Sequence, residues 1–309
     1  MTRQDARIVI TGGTGQVGTA LTRHLLDAGY SVVTLSRNPP QSSDSRLRHL
    51  RWDARSLGDW ATEVDGALAV VNLAGRTVDC IKTPDHCDEI LRSRVESTRV
   101  LGEAVRAAAA PPTVWVQMGT CHINGDPPSR WCDEHSPPGY GLAPHVAQAW
   151  EAEFHRACPD SVRKVILRTS FVLSANTGAM KRLRPLARLG LGGTVASGTQ
   201  GMSWIHERDL ARLFTSAIED EAMEGVYLST APNPVSNKHF MRALRRSLGM
   251  PLGLPTPAWA VRFGSKFILR TDPELALCGR YCASTRLKEN GFEFEFPTIE
   301  EAFADLYGN

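Results

Sequence analysis

Three glycines near the N-terminus have the spacing of a phosphate-binding turn. Gly12, Gly15 and Gly18 follow the β-branched run at 8–10, and apolar residues at helical spacing begin directly after them. The first glycine lets a chain turn off a strand, the second lets backbone approach a pyrophosphate, and the third lets a helix pack with its N-terminus toward the anion. We therefore predict a dinucleotide site, with simple turn glycines as the alternative. Its predicted residues are Gly12, Thr14, Gly15, Gln16, Val17 and Gly18.

The end of the second apolar run, 31–35, indicates which dinucleotide is expected. Ser36 and Arg37 follow this run, and no acidic residue stands there. An acid at this position holds the ribose 2′-hydroxyl of NAD, whereas an arginine accommodates the 2′-phosphate of NADP. We therefore expect NADP, held by Ser36 and Arg37, although a solvated surface arginine fits the pattern too. Asp53, at the end of a predicted strand at 49–53, is expected either to touch the adenine or to cap the next turn.

Two further apolar runs end in small or polar residues. The run at 67–73 leads into Leu73, Ala74 and Gly75, and the run at 113–118 leads into Thr120. The carboxyl ends of parallel strands open into the binding crevice of such a sheet. We therefore expect Leu73, Ala74 and Gly75 to line the cofactor and Thr120 to face the substrate. Arg76 fits equally a cofactor phosphate or acidic substrate and a surface salt bridge.

Several other polar side chains are expected near this crevice. Histidine is the side chain best suited to proton transfer near neutral pH. For each of these residues taken alone, a satisfied position in a loop or at the rim is the alternative. Trp204 is expected in the core, with stacking on a substrate as the alternative. The predicted catalytic residues are Thr120, Tyr140 and His145, and the further candidates are Cys121, His122 and His206.

The cysteines predict reduced thiols rather than disulfides or metal ligands. There are seven, an odd number without a short framework spacing. Their spacing also differs from common zinc pairs, so we expect no metal. The residues that would have to form a metal site are Asp79, Cys80, His86, Cys87, Asp88, Cys278 and Cys282.

Strands that alternate with helices predict an α/β fold with a doubly wound parallel sheet. Helices are expected at 17–29, 88–110 and 144–157, a basic amphipathic helix followed by a Gly-rich turn at 178–193, and later strands at 162–167, 203–206 and 225–229. The helix at 88–110 is expected to serve packing only. The Pro- and Gly-rich loop at 124–140 is long enough to suggest a function. The expected domains are a dinucleotide-binding domain at 1–173, to which 200–230 returns, and a smaller, mainly helical substrate lobe at 174–199 and 231–309.

Composition limits the expected partners. The net charge is +2 and the arginines are dispersed, which disfavours nucleic acid. No stretch approaches the roughly 20 apolar residues of a membrane span, and the N-terminus is too polar for a secretory signal. We therefore expect a cytoplasmic protein with a small-molecule substrate and neither nucleic acid nor membrane as partner; the sequence does not indicate an oligomeric state.

Five stretches together resemble one protein family. The chain is similar to epimerase-family proteins, an atypical branch of the short-chain dehydrogenase/reductase superfamily that is similar to NAD-dependent epimerases and dehydratases and carries a short C-terminal domain of unknown function. The resemblance implies a Rossmann fold, a nucleotide cofactor and a substrate cleft between two lobes. The stretches that carry it are 11–18, 72–75, 189–193, 203–206 and 230–235.

The resemblance also identifies a departure from active members of the superfamily. These use a Ser or Thr after the fifth strand, together with a Tyr and, four residues later, a Lys. Thr120 falls where the hydroxyl belongs, but Tyr140 is followed four residues later by Pro144, and the expected positions hold Ala143 and Ala147. The branch itself commonly lacks this pair. Two hypotheses follow: an NADP(H)-dependent oxidoreductase or epimerase-like enzyme, and a non-catalytic NADP(H)-binding redox sensor or scaffold.

Overall fold

The computed structural model describes residues 3–127 and 131–308. The strands in chain order are β1 Arg7–Thr11, β2 Ser31–Ser36, β3 Leu47–Arg51, β4 Ala69–Asn72, β5 Val114–Thr120, β6 Trp131–Cys132, β7 Arg163–Thr169, β8 Phe171–Leu173, β9 Gly201–Met202, β10 Trp204–His206, β11 Gly225–Ser229, β12 Val235–Ser236 and β13 Tyr281–Cys282. The helices are α1 Gln16–Asp27, α2 Pro84–Ala107, α3 Leu142–Ala157, α4 Met180–Leu186, α5 Glu207–Glu219, α6 Asn237–Ser247, α7 Ala258–Gly264, α8 Glu274–Leu277, α9 Thr285–Glu289 and α10 Ile299–Tyr307.

Seven strands form the central sheet, in the order β3-β2-β1-β4-β5-β7-β11, and every neighbouring pair is parallel. The predicted doubly wound α/β fold is therefore confirmed. Strand order reverses its direction between β1 and β4, which is where such a sheet opens its crevice. Apolar side chains from β1 and β4 are buried on both faces of the sheet, because helices cover both.

Each face of the sheet has its own hydrophobic core. Leu21 of α1 and Phe214 of α5 belong to the core on one face, whereas Leu101 of α2 and Phe154 of α3 belong to the core on the other. A third cluster lies in the C-terminal half, and it includes Trp204 along with side chains of α6 and α10. Two predicted segments, 174–199 and 231–309, supply most of this third cluster.

Two helices differ from their predicted bounds for identifiable reasons. The helix expected at 88–110 begins earlier because Pro84 is its first residue and the Thr83 hydroxyl accepts a hydrogen bond from the backbone N–H of His86. The basic helix expected within 178–193 begins at Met180 as α4 and ends in a single wide turn at Ala187–Leu191, where Gly190, with a φ of 78°, starts the expected Gly-rich turn. No helix among the described residues is long and apolar enough to cross a membrane.

Candidate cofactor and substrate site

The glycine turn between β1 and α1 is shaped by contacts that exclude side chains. Gly12 has a φ of 68°, and a Cβ on it would lie 3.0 Å from the backbone of Leu73. A Cβ on Gly18 would lie 2.5 Å from the carbonyl oxygen of Gly12, so α1 packs directly on the turn. Gly15 precedes α1 and provides no side-chain cap. The first backbone N–H groups of α1 therefore receive no side-chain cap from Gly15, and their use by an anion stays a prediction.

The carboxyl end of β2 combines a buried hydroxyl with an exposed cation. Ser36 is buried, and its Oγ has no hydrogen-bond partner among the described residues. Arg37 is exposed and forms no ion pair within 3–127 or 131–308. A hydroxyl without a partner beside an unpaired guanidinium is a donor set that suits a phosphate group.

Asp53 uses its carboxylate locally. Its oxygens accept hydrogen bonds from the backbone N–H of Arg55 at 2.8 Å and of Ser56 at 3.0 Å, and from the Ser56 hydroxyl at 2.6 Å. These bonds, that of the Ser56 hydroxyl above all, lower the pKa of Asp53 to about 2. This geometry is that of the capping alternative, and it leaves contact with an adenine as a prediction.

A buried polar network holds the turn at the end of β4. Thr11 donates to Asn72 Oδ1 at 2.6 Å, and the same oxygen accepts from the backbone N–H of Ala74 at 3.2 Å. Asn72 Nδ2 donates to Gln117 Oε1 and to Thr98 Oγ1, both at 3.0 Å. Such a fully satisfied amide fixes the orientation of the turn that carries Leu73, Ala74 and Gly75. The network joins β1, β4, β5 and α2 beneath the crevice.

Two polar side chains of α2, Thr98 and Arg94, add hydrogen bonds to the packing that was predicted for this helix, and both extend toward the crevice turn. Trp150 of α3 donates to Thr98 Oγ1 at 3.0 Å. Arg94 donates to the carbonyl oxygens of Arg76 at 3.1 Å and Ile90 at 2.9 Å, and its guanidinium lies 5.1 Å from the ring centre of Trp150. Burial lowers the pKa of Arg94 to about 10, and no carboxylate among the described residues pairs with it. The sequence did not indicate a role for Arg94, because the spacing of residues along α2 does not show which neighbouring element the side of the helix with Arg94 contacts.

Thr120 ends β5 at the predicted edge of the sheet. Its hydroxyl accepts a hydrogen bond from the backbone N–H of His122 at 3.2 Å and so caps the short helix Cys121–Asn124. Cys121 is buried and its thiol donates to the carbonyl of Arg168 at 3.0 Å. Burial, reinforced by the positive charges of Arg280 and Lys82, lowers the pKa of His122 to about 3. His122 is therefore neutral near pH 7 and poorly matched to proton transfer there.

The side chains of the other two predicted catalytic residues are exposed. Tyr140 has a fully exposed side chain (100%), and His145 lies on the exposed side of α3. A side chain surrounded by solvent has no packing that fixes it against a reacting atom. At the positions where the superfamily places Tyr and Lys, Ala143 is exposed and Ala147 is buried in the packing of α3.

Three further candidates have structural partners. Arg76 forms an ion pair with Glu89, which is the surface salt bridge weighed as its alternative. Trp204 is fully buried in the third core, as expected. His206 is buried away from a crevice position, because its Nδ1 caps α5 by accepting from the backbone N–H of Arg208 at 3.2 Å.

Two of the residues weighed as metal ligands have other partners. Asp79 pairs with Arg182 at 3.1 Å, and the Cys278 thiol donates to Glu274 at 2.9 Å. Within the described ranges, no group of three His, Cys, Asp or Glu side chains has a metal-binding arrangement. Within the described residues, none of the seven cysteines forms a disulfide bond.

The loop predicted at 124–140 is tied to the C-terminal part of the chain. Glu134 accepts hydrogen bonds from the backbone N–H of Leu228 at 3.0 Å and of Thr285 at 3.1 Å, and from the hydroxyl of Ser284. β6 in this loop pairs with β13, and the rings of Trp131 and Tyr281 stack at 5.8 Å. The predicted loop residues 128–130 lie outside the described residues. The described part of this loop is therefore held in place by the C-terminal part of the chain, and it forms a wall beside the carboxyl end of β5, where Thr120 lies.

Two family profiles match the chain. The profile of the NAD dependent epimerase/dehydratase family matches residues 8–227, and that of a domain of unknown function, DUF1731, matches residues 256–306. The human epimerase family protein SDR39U1 is 32% identical over 307 residues, which cover 97% of this chain and 99% of the relative.

Two solved structures resemble the whole chain. The crystal structure of human SDR39U1 (isoform 2) with NADPH superimposes with a TM-score of 0.87 at 30% identity, covering 98% of this chain and 99% of that one. The nucleoside-diphosphate sugar epimerase from Corynebacterium glutamicum superimposes with a TM-score of 0.77 at 28% identity, covering 98% of this chain and 58% of that one.

Proposed function

The chain belongs to the NAD-dependent epimerase/dehydratase family, and from this premise we propose that it is an NADP(H)-dependent oxidoreductase or epimerase-like enzyme with a small-molecule substrate. The single observation that carries the choice of cofactor is the end of β2, where the Ser36 hydroxyl has no partner in the described residues and Arg37 is unpaired. The NADPH in the human relative's structure supports the same choice.

The proposed cofactor residues divide into two ends of one crevice. The turn from Gly12 to Gly15 and the first N–H groups of α1 would hold the pyrophosphate, and Ser36 with Arg37 would hold the 2′-phosphate. The turn 73–75 would line the cofactor, since the Asn72 network fixes its orientation. Asp53 remains a candidate for the adenine end. Arg94 would add a positive charge behind the crevice turn, where it favours an anionic cofactor.

The proposed chemistry places Thr120 at the reacting oxygen. When bound, the nicotinamide supplies or accepts the hydride. Thr120 Oγ already accepts the His122 N–H, so its own proton remains available to donate to a substrate carbonyl or carbinol oxygen. Tyr140 and His145 stay candidates for proton transfer only if substrate binding reorganises the loop and the start of α3.

The second candidate function is a non-catalytic NADP(H)-binding sensor or scaffold. It is favoured by a specific observation: the α3 positions expected to hold Tyr and Lys are Ala143 and Ala147, and Tyr140 is fully exposed. A protein of this kind would bind the cofactor with the same residues and lack turnover. Cofactor binding and hydride transfer must therefore be measured separately.

The test of the cofactor proposal is a calorimetric and thermal-shift titration with NADPH and NADH. Wild type should prefer NADPH, and Arg37→Ala should lose roughly ten- to hundredfold of that preference, because a charge-assisted hydrogen bond contributes about 1.5–3 kcal/mol. Arg23→Ala, on the exposed face of α1, is the matched control and should bind as wild type does. If neither NADPH nor NADH binds, the proposal is overturned.

A substrate screen then decides between the two functions. The absorbance of NADPH is followed while carbonyl and sugar-nucleotide compounds are added to wild type and Thr120→Val. Turnover that Thr120→Val lowers about a hundredfold, with unchanged NADPH affinity, would support the enzyme, since removing one such donor costs about 10²–10³ in kcat. NADPH binding without turnover of any compound would favour the sensor or scaffold.

We also propose that the chain works in a reducing compartment such as the cytoplasm. The support for this is that none of the seven cysteines forms a disulfide bond within the described residues and that five of them are buried. Thiol titration of protein freshly isolated without reductant tests it: seven thiols are expected after unfolding, and any pair missing from that count would contradict the proposal.

A further inference from the structure

An apolar surface is exposed on the C-terminal lobe. Eight of the fourteen large hydrophobic side chains that the described residues expose lie between positions 189 and 268, each with 47% to 79% of its area in solvent. Such clustering is unusual for a protein without a partner at that surface. Together with the cations beside them, which are described below, these eight residues are called the basic-apolar surface. The eight are Leu189, Leu191, Leu252, Leu254, Trp259, Phe263, Phe267 and Ile268.

Backbone hydrogen bonds make this surface continuous. Leu254 N–H donates to the carbonyl of Gly190 at 2.8 Å, and Thr256 N–H donates to that of Thr194 at 2.9 Å. The segment 189–191 therefore runs beside 252–254. Helix α7 begins two residues after Thr256 and carries the aromatic side chains. The surface is thus formed by neighbouring segments and not by side chains scattered over the lobe.

Helix α7 and the wide turn that continues it to Leu269 expose their aromatic side chains to solvent instead of burying them. Trp259, Phe263 and Phe267 recur every four residues and are exposed, whereas the small side chain of Ser265 and the nearby Val261 point inward and are buried. The rings of Phe263 and Phe267 lie 4.9 Å apart. In a helix that only packs on its own lobe, the large aromatic side chains would face inward.

A second row of the same helix is basic. Arg262, Lys266 and Arg270 also recur every four residues, and all three are exposed. Lys266 Nζ lies 5.5 Å from the ring centre of Phe267, so the two rows are adjacent. A row of aromatic residues beside a row of cations is the pattern of helices that lie in the interface of an anionic membrane.

Two stretches of the lobe, one of which contains this helix, are basic and lack acidic residues. The segments 174–199 and 231–271 contain eleven Lys and Arg residues and no Asp or Glu, so the remainder of a chain with net charge +2 is acidic. Among the described residues, only Arg182 of these eleven pairs with a carboxylate, that of Asp79. The eleven are Lys181, Arg182, Arg184, Arg188, Lys238, Arg242, Arg245, Arg246, Arg262, Lys266 and Arg270.

We propose that the basic-apolar surface docks the protein on the surface of an anionic lipid bilayer. Unpaired cations match lipid phosphates, and exposed leucine and isoleucine side chains match acyl chains. A nucleic acid would satisfy the cations and leave these aliphatic side chains without a partner. A second copy meeting the same face would oppose two strongly basic surfaces. The acidic remainder of the chain would orient the lobe toward the membrane.

This proposal revises the expectation of no membrane partner. That expectation depended on the lack of a long apolar stretch and of a secretory leader, and peripheral docking requires neither. It does not depend on the cofactor or on turnover, so it can fail or succeed independently of the proposed function.

The test is flotation of the full chain with vesicles of equal parts phosphatidylglycerol and phosphatidylcholine, compared with phosphatidylcholine alone. Wild type should bind the anionic vesicles at low salt and dissociate as salt is raised. Lys266→Glu should weaken binding about tenfold, whereas Arg23→Glu, an equal charge reversal on exposed α1, should have no such effect. The combined Trp259→Ser, Phe263→Ser and Phe267→Ser variant should lose at least about a hundredfold.

Thermal midpoint and far-ultraviolet circular dichroism establish that each variant is folded, and Lys266→Glu carries the test if the triple variant is not folded. Three results would overturn the proposal: no binding to anionic vesicles at low salt, equal binding to neutral vesicles, or equal loss in Lys266→Glu and Arg23→Glu. Analytical ultracentrifugation tests the alternative that this surface contacts a second copy of the chain. A dimer that the triple variant dissociates would assign the surface to a second copy of the chain.

Discussion

At the scale of single residues, the glycine turn contains positions with different tolerances. A Cβ on Gly18 meets backbone atoms of Gly12 and Gly13 at 2.5–2.7 Å, and backbone cannot move away as a flexible side chain can. A Cβ on Gly15 meets one atom, at 3.3 Å, and the φ of Gly15 is −76°. A substitution at Gly18 should therefore affect the stability of the fold, whereas one at Gly15 should affect the space left for a ligand.

We predict opposite outcomes for two alanine substitutions in this turn. Gly18→Ala should lower the free energy of unfolding by roughly 1–3 kcal/mol, because it forces α1 away from the turn. Gly15→Ala should leave stability within about 0.5 kcal/mol and weaken NADPH binding, because the added methyl group faces the crevice. Urea unfolding and NADPH titration of both variants measure this. Equal loss of stability in the two would contradict it.

The sequence identified residues whose role depends only on their neighbours in the chain. Gly12 and Gly18 were identifiable since a missing Cβ is needed wherever strand, turn and helix meet at this spacing. Arg94 and Thr98 were not, because their role depends on how α3 packs against α2. His206 was assigned to the crevice from its place after a strand, and the structure gives it to the cap of α5 instead.

At the scale of elements, Glu134 joins three parts of the chain. Its carboxylate accepts from the backbone of β11 and from residues 284–285 at the start of α9. Because the carboxylate meets only donors, neither an amide nor an alanine can replace it. The attachment of the long loop to the C-terminal lobe thus depends strongly on one side chain.

We predict that Glu134→Gln lowers the free energy of unfolding by about 1–3 kcal/mol, since its amide group would oppose N–H and O–H donors. Hydrogen exchange should accelerate in 131–136 and 284–287 and remain unchanged in the sheet. His135→Gln, an exposed neighbour, is the control and should leave exchange as in wild type. Uniform acceleration across the chain would instead indicate global destabilisation.

The elements show where pattern reasoning reached its limit. The seven sheet strands were identifiable from apolar runs, with ends that shifted by one or two residues. In the segment 178–193 the glycines indicated the turn that ends the helix, and Gly190 has a φ of 78° there, but the spacing did not show that the last helical turn is a wide one. β6 and β13 are two residues each and exist only because they pair with each other, so no local pattern marks them.

At the scale of the whole molecule, buried His206 makes stability depend on pH. Burial lowers the pKa of His206 from 6.5 to about 4, despite Asp305 at 3.3 Å, which opposes the shift. As pH falls, the unfolded chain therefore binds a proton before the folded one does. This contribution to stability is complete above pH 6.5 and is lost between pH 6.5 and about 4.

We predict that His206 accounts for a loss of about 2 kcal/mol in the free energy of unfolding between pH 7 and pH 5. His206→Asn keeps an acceptor at the cap of α5 and should remove that part of the pH dependence. Urea unfolding of both proteins at the two pH values is the measurement. The exposed His155→Asn variant is the control, and a wild-type slope in His206→Asn would refute the assignment.

The contact between the loop and the C-terminal lobe has a consequence for protein synthesis. In the pairing of β6 with β13 the backbone of Cys132 lies opposite that of Cys282, and Glu134 accepts from Thr285, so about 150 further residues must be synthesised after this loop before these contacts form. The first five strands of the sheet can assemble earlier, since their partners lie within the first 120 residues. The wall beside Thr120 therefore closes only after nearly the whole chain has emerged, and a nascent chain that stalls before residue 281 carries a glycine turn without a finished substrate site.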